Sequence, residues 1–278
     1  MHNESNIKIA TLCKIAGITR STYYFEINKK DSDDKNGLII QHIKDIFIRH
    51  HRNYGVRRVY HELKNSGVNV NHKKVQRIMR KFNLTARKHP RKYHSYQGTV
   101  GVVAKNLLNR NFYASLPNQK WTTDVSQFSF TWGKCYLSPI MDMFNNEIIS
   151  YDLSTSPNFE QIERMLNKAD IPNKKLNDLV IHSDQGWQYQ NPRYVAKLKS
   201  LHIRQSMSRK GNCYDNCIME SFFGLMKNEI YYGKENTINS YEDFKKIVAD
   251  YISYYNNCRI KSKTSWMSPI QYRISSGL

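Results

Sequence analysis

The chain has 278 residues, 40% of them hydrophobic, which suffices for one sizeable core and one or two smaller modules. No apolar run approaches the ~20 residues a membrane span needs, and the polar start Met1-His-Asn-Glu-Ser-Asn-Ile has no signal-peptide hydrophobic region, so a cytoplasmic protein without a membrane partner is expected. The formal charge of +20 is uneven: 23 Lys/Arg against 7 Asp/Glu give +16 over residues 1–110 and leave +4 for the other 168, as in a polyanion-binding arm on a nearly neutral body.

Residues 7–26 read as two short helices, Ile7 to Ile15 and then, after a turn at Gly17, a second one capped by Thr19 or Ser21. Together they suggest a short helix-turn-helix-like segment over residues 1–30. The polar stretch Asp31 to Gly37 predicts a break before the next unit, residues 36–84. Three helices are expected there. The first carries Ile39, Ile43, Ile46 and Phe47 at helical spacing; the second follows Tyr54-Gly55 with Val56, Val59, Tyr60 and Leu63 on one stripe and ends near Ser66-Gly67. Asn71 caps the third, which turns Val75, Ile78, Met79 and Phe82 inward and Lys73, Lys74, Arg77, Arg80 and Lys81 outward. Such a helix suits recognition of a nucleic-acid groove, and an ordinary three-helix bundle with a solvated basic side has the same pattern. Residues 85–117, with Arg87-Lys88-His89-Pro90-Arg91-Lys92, Tyr93 and Tyr96, read as a basic linker.

The third region, residues 118–232, starts with β-rich alternation from Lys120 to Phe130, a turn at Thr131-Trp-Gly133, a second strand from Lys134 to Phe144 and a third from Glu147 to Ser154. A helix over Asn158–Ala169, a strand over Asp178–His182, a helix over Pro192–Leu201, a strand over Ile203–Met207 and a helix over Tyr214–Ile230 follow. The order βββαβαβα implies an α/β body with a mixed sheet and helices on its faces. Residues 233–278 form a helical extension. The five cysteines, Cys13, Cys135, Cys213, Cys217 and Cys258, lack paired or zinc-finger spacing, so reduced thiols and no structural zinc are expected.

Three acids stand out. Asp124 lies in Trp121-Thr-Thr-Asp124-Val-Ser-Gln-Phe128, Asp184 in His182-Ser-Asp184-Gln-Gly186, and Glu220 in Asn212-Cys-Tyr-Asp-Asn-Cys-Ile-Met-Glu220-Ser-Phe-Phe223. Alternation puts Thr122, Asp124 and Ser126 on one face of the first strand; Asp184 ends the fourth; Glu220 arrives on a helix. Carboxylates brought together without cationic neighbours repel, and a divalent cation is the economical way to neutralise them. Oxygen ligands favour Mg²⁺, with Mn²⁺ as a substitute. Asp142 and Asp152 read as structural, and His182 as a core histidine or a substrate-positioning one.

These local sequences resemble the DDE transposases and integrases, most closely the second-frame (OrfB-like) product of the bacterial insertion-sequence-three family. Tyr254 to Ile260 and Ser265 to Tyr272 resemble the family's terminal motif, although Lys261 to Lys263 lacks the histidine many relatives carry. The resemblance implies an RNase H-like integrase catalytic core preceded by helix-turn-helix modules. It implies Asp124, Asp184 and Glu220 as catalytic metal ligands for two Mg²⁺ ions, Asp124 bridging both, with strand cleavage by water and joining by the freed 3′-hydroxyl. Double-stranded DNA (terminal inverted repeats and target), further copies of the chain and an upstream-frame (OrfA-like) protein are the partners it implies, in the bacterial cytoplasm at the nucleoid. Arg209, Lys210 and Lys227 are candidate DNA contacts beside Lys73, Lys74, Arg77 and Arg80. Tyr255, Asn256 and Arg259 read as buttresses or DNA contacts. A nuclease of the same fold that does not join strands, or a non-catalytic regulator of transposition, would share much of this sequence.

Overall fold

A computed structural model describes residues 8–86, 103–171, 176, 178–209 and 212–277, with the backbone alone for 27–35 and 213; they fall into a helical unit ending at Ala86 and a sheet-containing unit after it. In the first, the Thr19 hydroxyl accepts a hydrogen bond from the Thr22 amide at 3.1 Å and starts α2 (Arg20–Arg49), after α1 (Ile9–Ile15). Helix α2 continues through residues 31–37, where composition predicts a break. The stretch has no proline, and its Asp, Ser, Asn and Gly residues each cost a helix only about 0.5–1 kcal/mol relative to Ala. A helix capped at Thr19 and anchored downstream by buried Ile43, Ile46 and Phe47 absorbs that cost. Helices α3 (Val56–Asn65) and α4 (His72–Lys81) supply buried Val59, Leu63, Val75, Ile78 and Met79, and Tyr54, just before α3, is buried as well. The Asn71 side chain caps α4 by accepting from the Lys73 amide at 2.8 Å. Lys73, Arg77 and Arg80 are exposed on its outer side and Lys74 is half-buried.

The second unit contains β1 (Lys120–Thr123), β2 (Ser126–Phe130), β3 (Gly133–Asp142), β4 (Ile148–Ser154), α5 (Phe159–Lys168), β5 (Val180–Ser183), α6 (Trp187–Gln190), α7 (Pro192–Ser200) and β6 (Arg204–Met207). Then come α8 (Cys217–Met226), a π turn (Lys227–Tyr231), α9 (Tyr241–Asn257) and α10 (Pro269–Ser275). Across the sheet the order is β4, β3, β1 with β2, β5, β6, antiparallel on the β3 side and parallel from β1 to β6. Thr123 faces Ile140 and Ser126 faces Leu137, so β1 and β2 keep one register along β3. They are the expected single strand Lys120–Phe130, interrupted at Asp124 and Val125. The Asp124 carboxylate accepts from the Val125 amide at 2.7 Å, a local bond that competes with strand geometry.

One face of the sheet packs Trp121, Ile140 and Ile181 against Ile162 and Met165 of α5 and Leu198 of α7. The other packs Phe128, Leu137 and Met141 against Met219, Phe222 and Met226 of α8 and Phe244 and Tyr255 of α9. Within the segment expected to link the units, Leu108 and Ala114 are buried against Met143 and Val180, and the Leu107 amide donates to Ser206 Oγ at 2.9 Å. Among the described residues no helix is long and apolar enough to cross a membrane.

Candidate active site

Parallel pairing of β1 with β5 sets Thr122 beside His182, which brings Asp124 and Asp184, each two residues further on, to one level at the carboxyl ends of adjacent strands. Such strand ends are where open α/β sheets bind ligands. Asp124 lies on the α8 side of the sheet, and Asn216, the residue that enters α8, donates from Nδ2 to Asp124 Oδ2 at 3.0 Å. Asp184 Oδ1 accepts from the Gly186 amide at 2.8 Å. Burial raises the Asp124 carboxyl well above the usual carboxylate range, and the charge of Asp184 pushes it further, against the bonds from Val125 and Asn216. Asp184 is raised by burial as well, against the bond from Gly186.

Glu220 stands on the first turn of α8, surface-exposed, with its carboxyl raised by the protein around it. It adds the weakest of the influences on Asp124. Among the described residues no three of His, Cys, Asp and Glu are close enough to share one metal ion, so Asp124 and Asp184 converge and Glu220 flanks them. The residues nevertheless fit a hard divalent cation. Two desolvated carboxylates present oxygen ligands, and Asn216 Oδ1 is buried without a hydrogen-bond partner, an acceptor left for a ligand.

The candidate DNA contact on the flank of the Glu220 helix lies beside the acids. Lys227, on the π turn after α8, is half-buried with Nζ 4.9 Å from the centre of the Phe128 ring, and the Asp124 charge acts on it. Burial lowers its pKa and Asp124 opposes that shift. Arg209 pairs Nε with buried Asp215 at 2.8 Å while its side chain stays half-exposed, and Lys210 lies outside the described residues.

Supports around the pair come from residues the sequence reading left without a role. The Tyr189 hydroxyl, 3.4 Å from Thr123 Oγ1, has its pKa raised by burial and then by the charges of Asp124 and Asp184. A Cβ added at Gly186 would stand 2.9 Å from Asp184 Oδ1. The one sequence signal for both is position, two and five residues after Asp184. His182 is a core histidine, buried between Ser206 Oγ at 2.8 Å and the Asp215 carbonyl at 3.1 Å. Asp142 accepts from the Asn118 and Phe144 amides, and Asp152 pairs with Arg164 and Lys168, as structural acids.

Residues 33–93 match the HTH-like domain family, and residues 114–213 and 220–276 match two integrase core domain families. InsK, of the insertion sequence element IS150 of Escherichia coli (strain K12), is 44% identical over 94% of this chain and 92% of its own length. Transposase InsF for insertion sequence IS3A of the same organism is 31% identical over 97% of this chain and 95% of its own length. The chain belongs to the insertion-sequence-three transposases. Its fold agrees: a chain of the simian T-cell lymphotropic virus intasome superposes with a TM-score of 0.50 at 16% identity, over 83% of this chain and 74% of that one. The transposase thus carries an RNase H-like integrase core after a helix-turn-helix-like region. Its terminal motif is structural in the described residues: Tyr255 and Arg259 are buried, and Asn256 bonds both the amide and the carbonyl of Ile148 at 2.9 Å.

Proposed function

We propose that this transposase cuts DNA at the ends of its insertion element and joins the freed ends to target DNA, with Asp124, Asp184 and Glu220 as the catalytic carboxylates. The observation that carries the reading is the desolvated Asp124–Asp184 pair at adjacent strand ends, braced by Asn216 and Gly186 through neutral donors only. Asp124 and Asp184 would hold divalent cations, two Mg²⁺ ions or Mn²⁺ in their place, and Glu220 on α8 would complete the set. Bound there, the cations supply Lewis acidity to the attacking and leaving oxygens of an in-line displacement. In cleavage a water oxygen forms a bond to phosphorus and the bond to O3′ breaks, leaving a 3′-hydroxyl and a 5′-phosphate. In joining, that hydroxyl oxygen forms the new bond to a target phosphorus and another O3′ leaves with the proton. Asn216 holds Asp124 through its side chain, and the Tyr189 hydroxyl lies beside Thr123, the residue before Asp124.

The exposed Lys73, Arg77 and Arg80 with Lys74 on α4 are proposed to track the phosphates of the terminal repeats. Lys227 and Arg209 are proposed to meet DNA nearer the acids. Action on two ends calls for further copies of the chain on DNA, and the family resemblance adds an upstream-frame protein and the cytoplasm, at the nucleoid, as setting.

The test is cleavage and joining of labelled element-end DNA with Mg²⁺ or Mn²⁺, comparing wild type with Glu220→Gln and Asp184→Asn. Metal-dependent joined product that falls at least about 100-fold in both variants is expected. Cleavage without joining would leave a nuclease, and binding without chemistry, even with the upstream frame fused on, would leave a regulator.

A further inference from the structure

The short 3₁₀ turn Cys213–Asp215 just before α8 carries an aromatic ring that the reaction described above does not use. Tyr214 is 69% exposed, and the Arg110 guanidinium lies over its ring, 5.6 Å from the centre. That guanidinium is fixed from behind: Nε donates to Asp215 Oδ1 at 3.1 Å and a terminal nitrogen to Asn212 Oδ1 at 3.3 Å. Arg209 grips the same carboxylate through Nε at 2.8 Å and a terminal nitrogen at 2.9 Å, and Asn106 donates to it at 3.0 Å. Asp215 is 1% exposed, whereas the Arg110 and Arg209 side chains are 49% and 52% exposed. Arg209 and Arg110 beside it hold the Asp215 carboxyl well below the usual carboxylate range, so the cluster keeps two cations against one anion and presents a surplus positive charge to solvent.

Position gives the cluster meaning. Tyr214 is two residues from Asn216, whose side chain holds Asp124, so the ring stands on the turn that leads into the acidic pair. A buried carboxylate that fixes two half-exposed guanidiniums, one of them bracing an exposed ring, is a rigid surface for a planar, anionic ligand. Aromatic rings and Arg planes are what unstacked bases lie on, and guanidiniums pair with phosphate.

We propose that Tyr214, braced by Arg110, is the stacking site for an unpaired nucleobase next to the phosphodiester held at Asp124 and Asp184, with Arg110 and Arg209 receiving the flanking phosphate. The proposal rests on the strand-cleavage reading and names the part of the DNA end that reading leaves open. The base leaves its own stack, the ring replaces that contact, and the flanking phosphate is received by the two guanidiniums. Asp215 is a positioning residue here, touching no DNA itself.

The test uses the full chain and the terminal repeat of its own element as a duplex carrying 2-aminopurine at each of the last few positions in turn. Fluorescence is read at saturating protein, so weaker binding does not imitate lost stacking. Wild type and Tyr214→Phe are expected to change the emission at one position, whereas Tyr214→Ala loses that change and cleaves about tenfold more slowly. The Tyr214→Ala defect is expected to shrink on DNA whose end is already unpaired. Tyr214→Ala with the wild-type emission pattern overturns the proposal, as does wild-type cleavage with no position-specific change. A position-specific change in wild type that Tyr214→Ala loses, without metal-dependent cleavage in either, supports the stacking site and removes the strand-cleavage reading instead.

Discussion

Gly186 has no side chain, and the site depends on that. Its amide holds Asp184 Oδ1 at 2.8 Å, and a Cβ there would meet the same oxygen at 2.9 Å and Gln188 Oε1 at 3.0 Å. Gly186→Ala therefore displaces the carboxylate while sparing the fold, and displacements of about 1 Å near reacting groups cost on the order of 100-fold in rate. Single-turnover cleavage is expected to fall by about that factor. Gly224→Ala is the control, since a Cβ there meets nothing within 4 Å, and it should leave the rate unchanged. Asp142 makes a separate prediction about pH. Burial pushes its carboxyl up to about 6 from an ordinary 3.8, in spite of the Asn118 and Phe144 amides it accepts from. A raised acid keeps its proton in the folded chain while the unfolded chain has lost it, so this group's contribution to stability falls as pH rises from about 4 to about 6 and is flat above. The stability of wild type relative to Asp142→Asn should decline across that window by as much as about 3 kcal/mol, read from unfolding of the sheet-containing unit. A difference that is constant with pH would remove Asp142 as the titrating group.

The helix that carries Glu220 owes its placement to contacts that periodicity does not announce. Beyond Met226 it widens into the π turn, where buried Glu229 accepts from Arg259 at 2.7 Å and from the Tyr251 hydroxyl at 3.1 Å. Arg259 follows the end of α9 and is 1% exposed. Arg259→Met leaves Glu229 buried and unpaired, which costs about 3–5 kcal/mol, and adding Glu229→Gln should recover most of that loss in chemical denaturation. An Arg259→Met chain as stable as wild type would show the pair to be dispensable. The contrast with what the sequence discloses is physical. Strands β3 to β6 and helices α5 and α7 follow from β-rich runs, helical period and caps, because strand side chains divide between the two cores and the helices lay one apolar stripe on the sheet. The interruption at Asp124 depends on a carboxylate capturing its neighbour's amide, and the continuity of α2 depends on packing at its ends. Asp215 reads as a residue suited to a helix start, yet its partners Arg110 and Asn106 lie more than 100 positions earlier. Motif identity marked Asp124, Asp184 and Glu220 as the proposed acids; the contacts that Asn216 and Gly186 make with two of them, and Tyr189 with Thr123, needed the fold.

At the scale of the whole chain, charge and chemistry are separated along the sequence. Residues 1–110 carry a net +16, and the acids lie in the part that carries only +4. Binding strength and reaction rate should therefore respond to different changes. Each lysine or arginine that neutralises a DNA phosphate releases counterions and adds about 0.9 to the slope of log affinity against log salt. Lys73, Arg77 and Arg80 are exposed on one side of α4. Replacing all three with Ala should flatten that slope by nearly 3, measured by fluorescence anisotropy of element-end duplex over a salt series without divalent metal. Asp184→Asn removes no cation and should keep the wild-type slope while losing cleavage. If the triple variant keeps the wild-type slope, the α4 face is a solvated surface and the phosphate contacts belong elsewhere among the 43 lysines and arginines. If Asp184→Asn flattens the slope, the acids and the basic residues do not act independently, and the division of binding from chemistry fails.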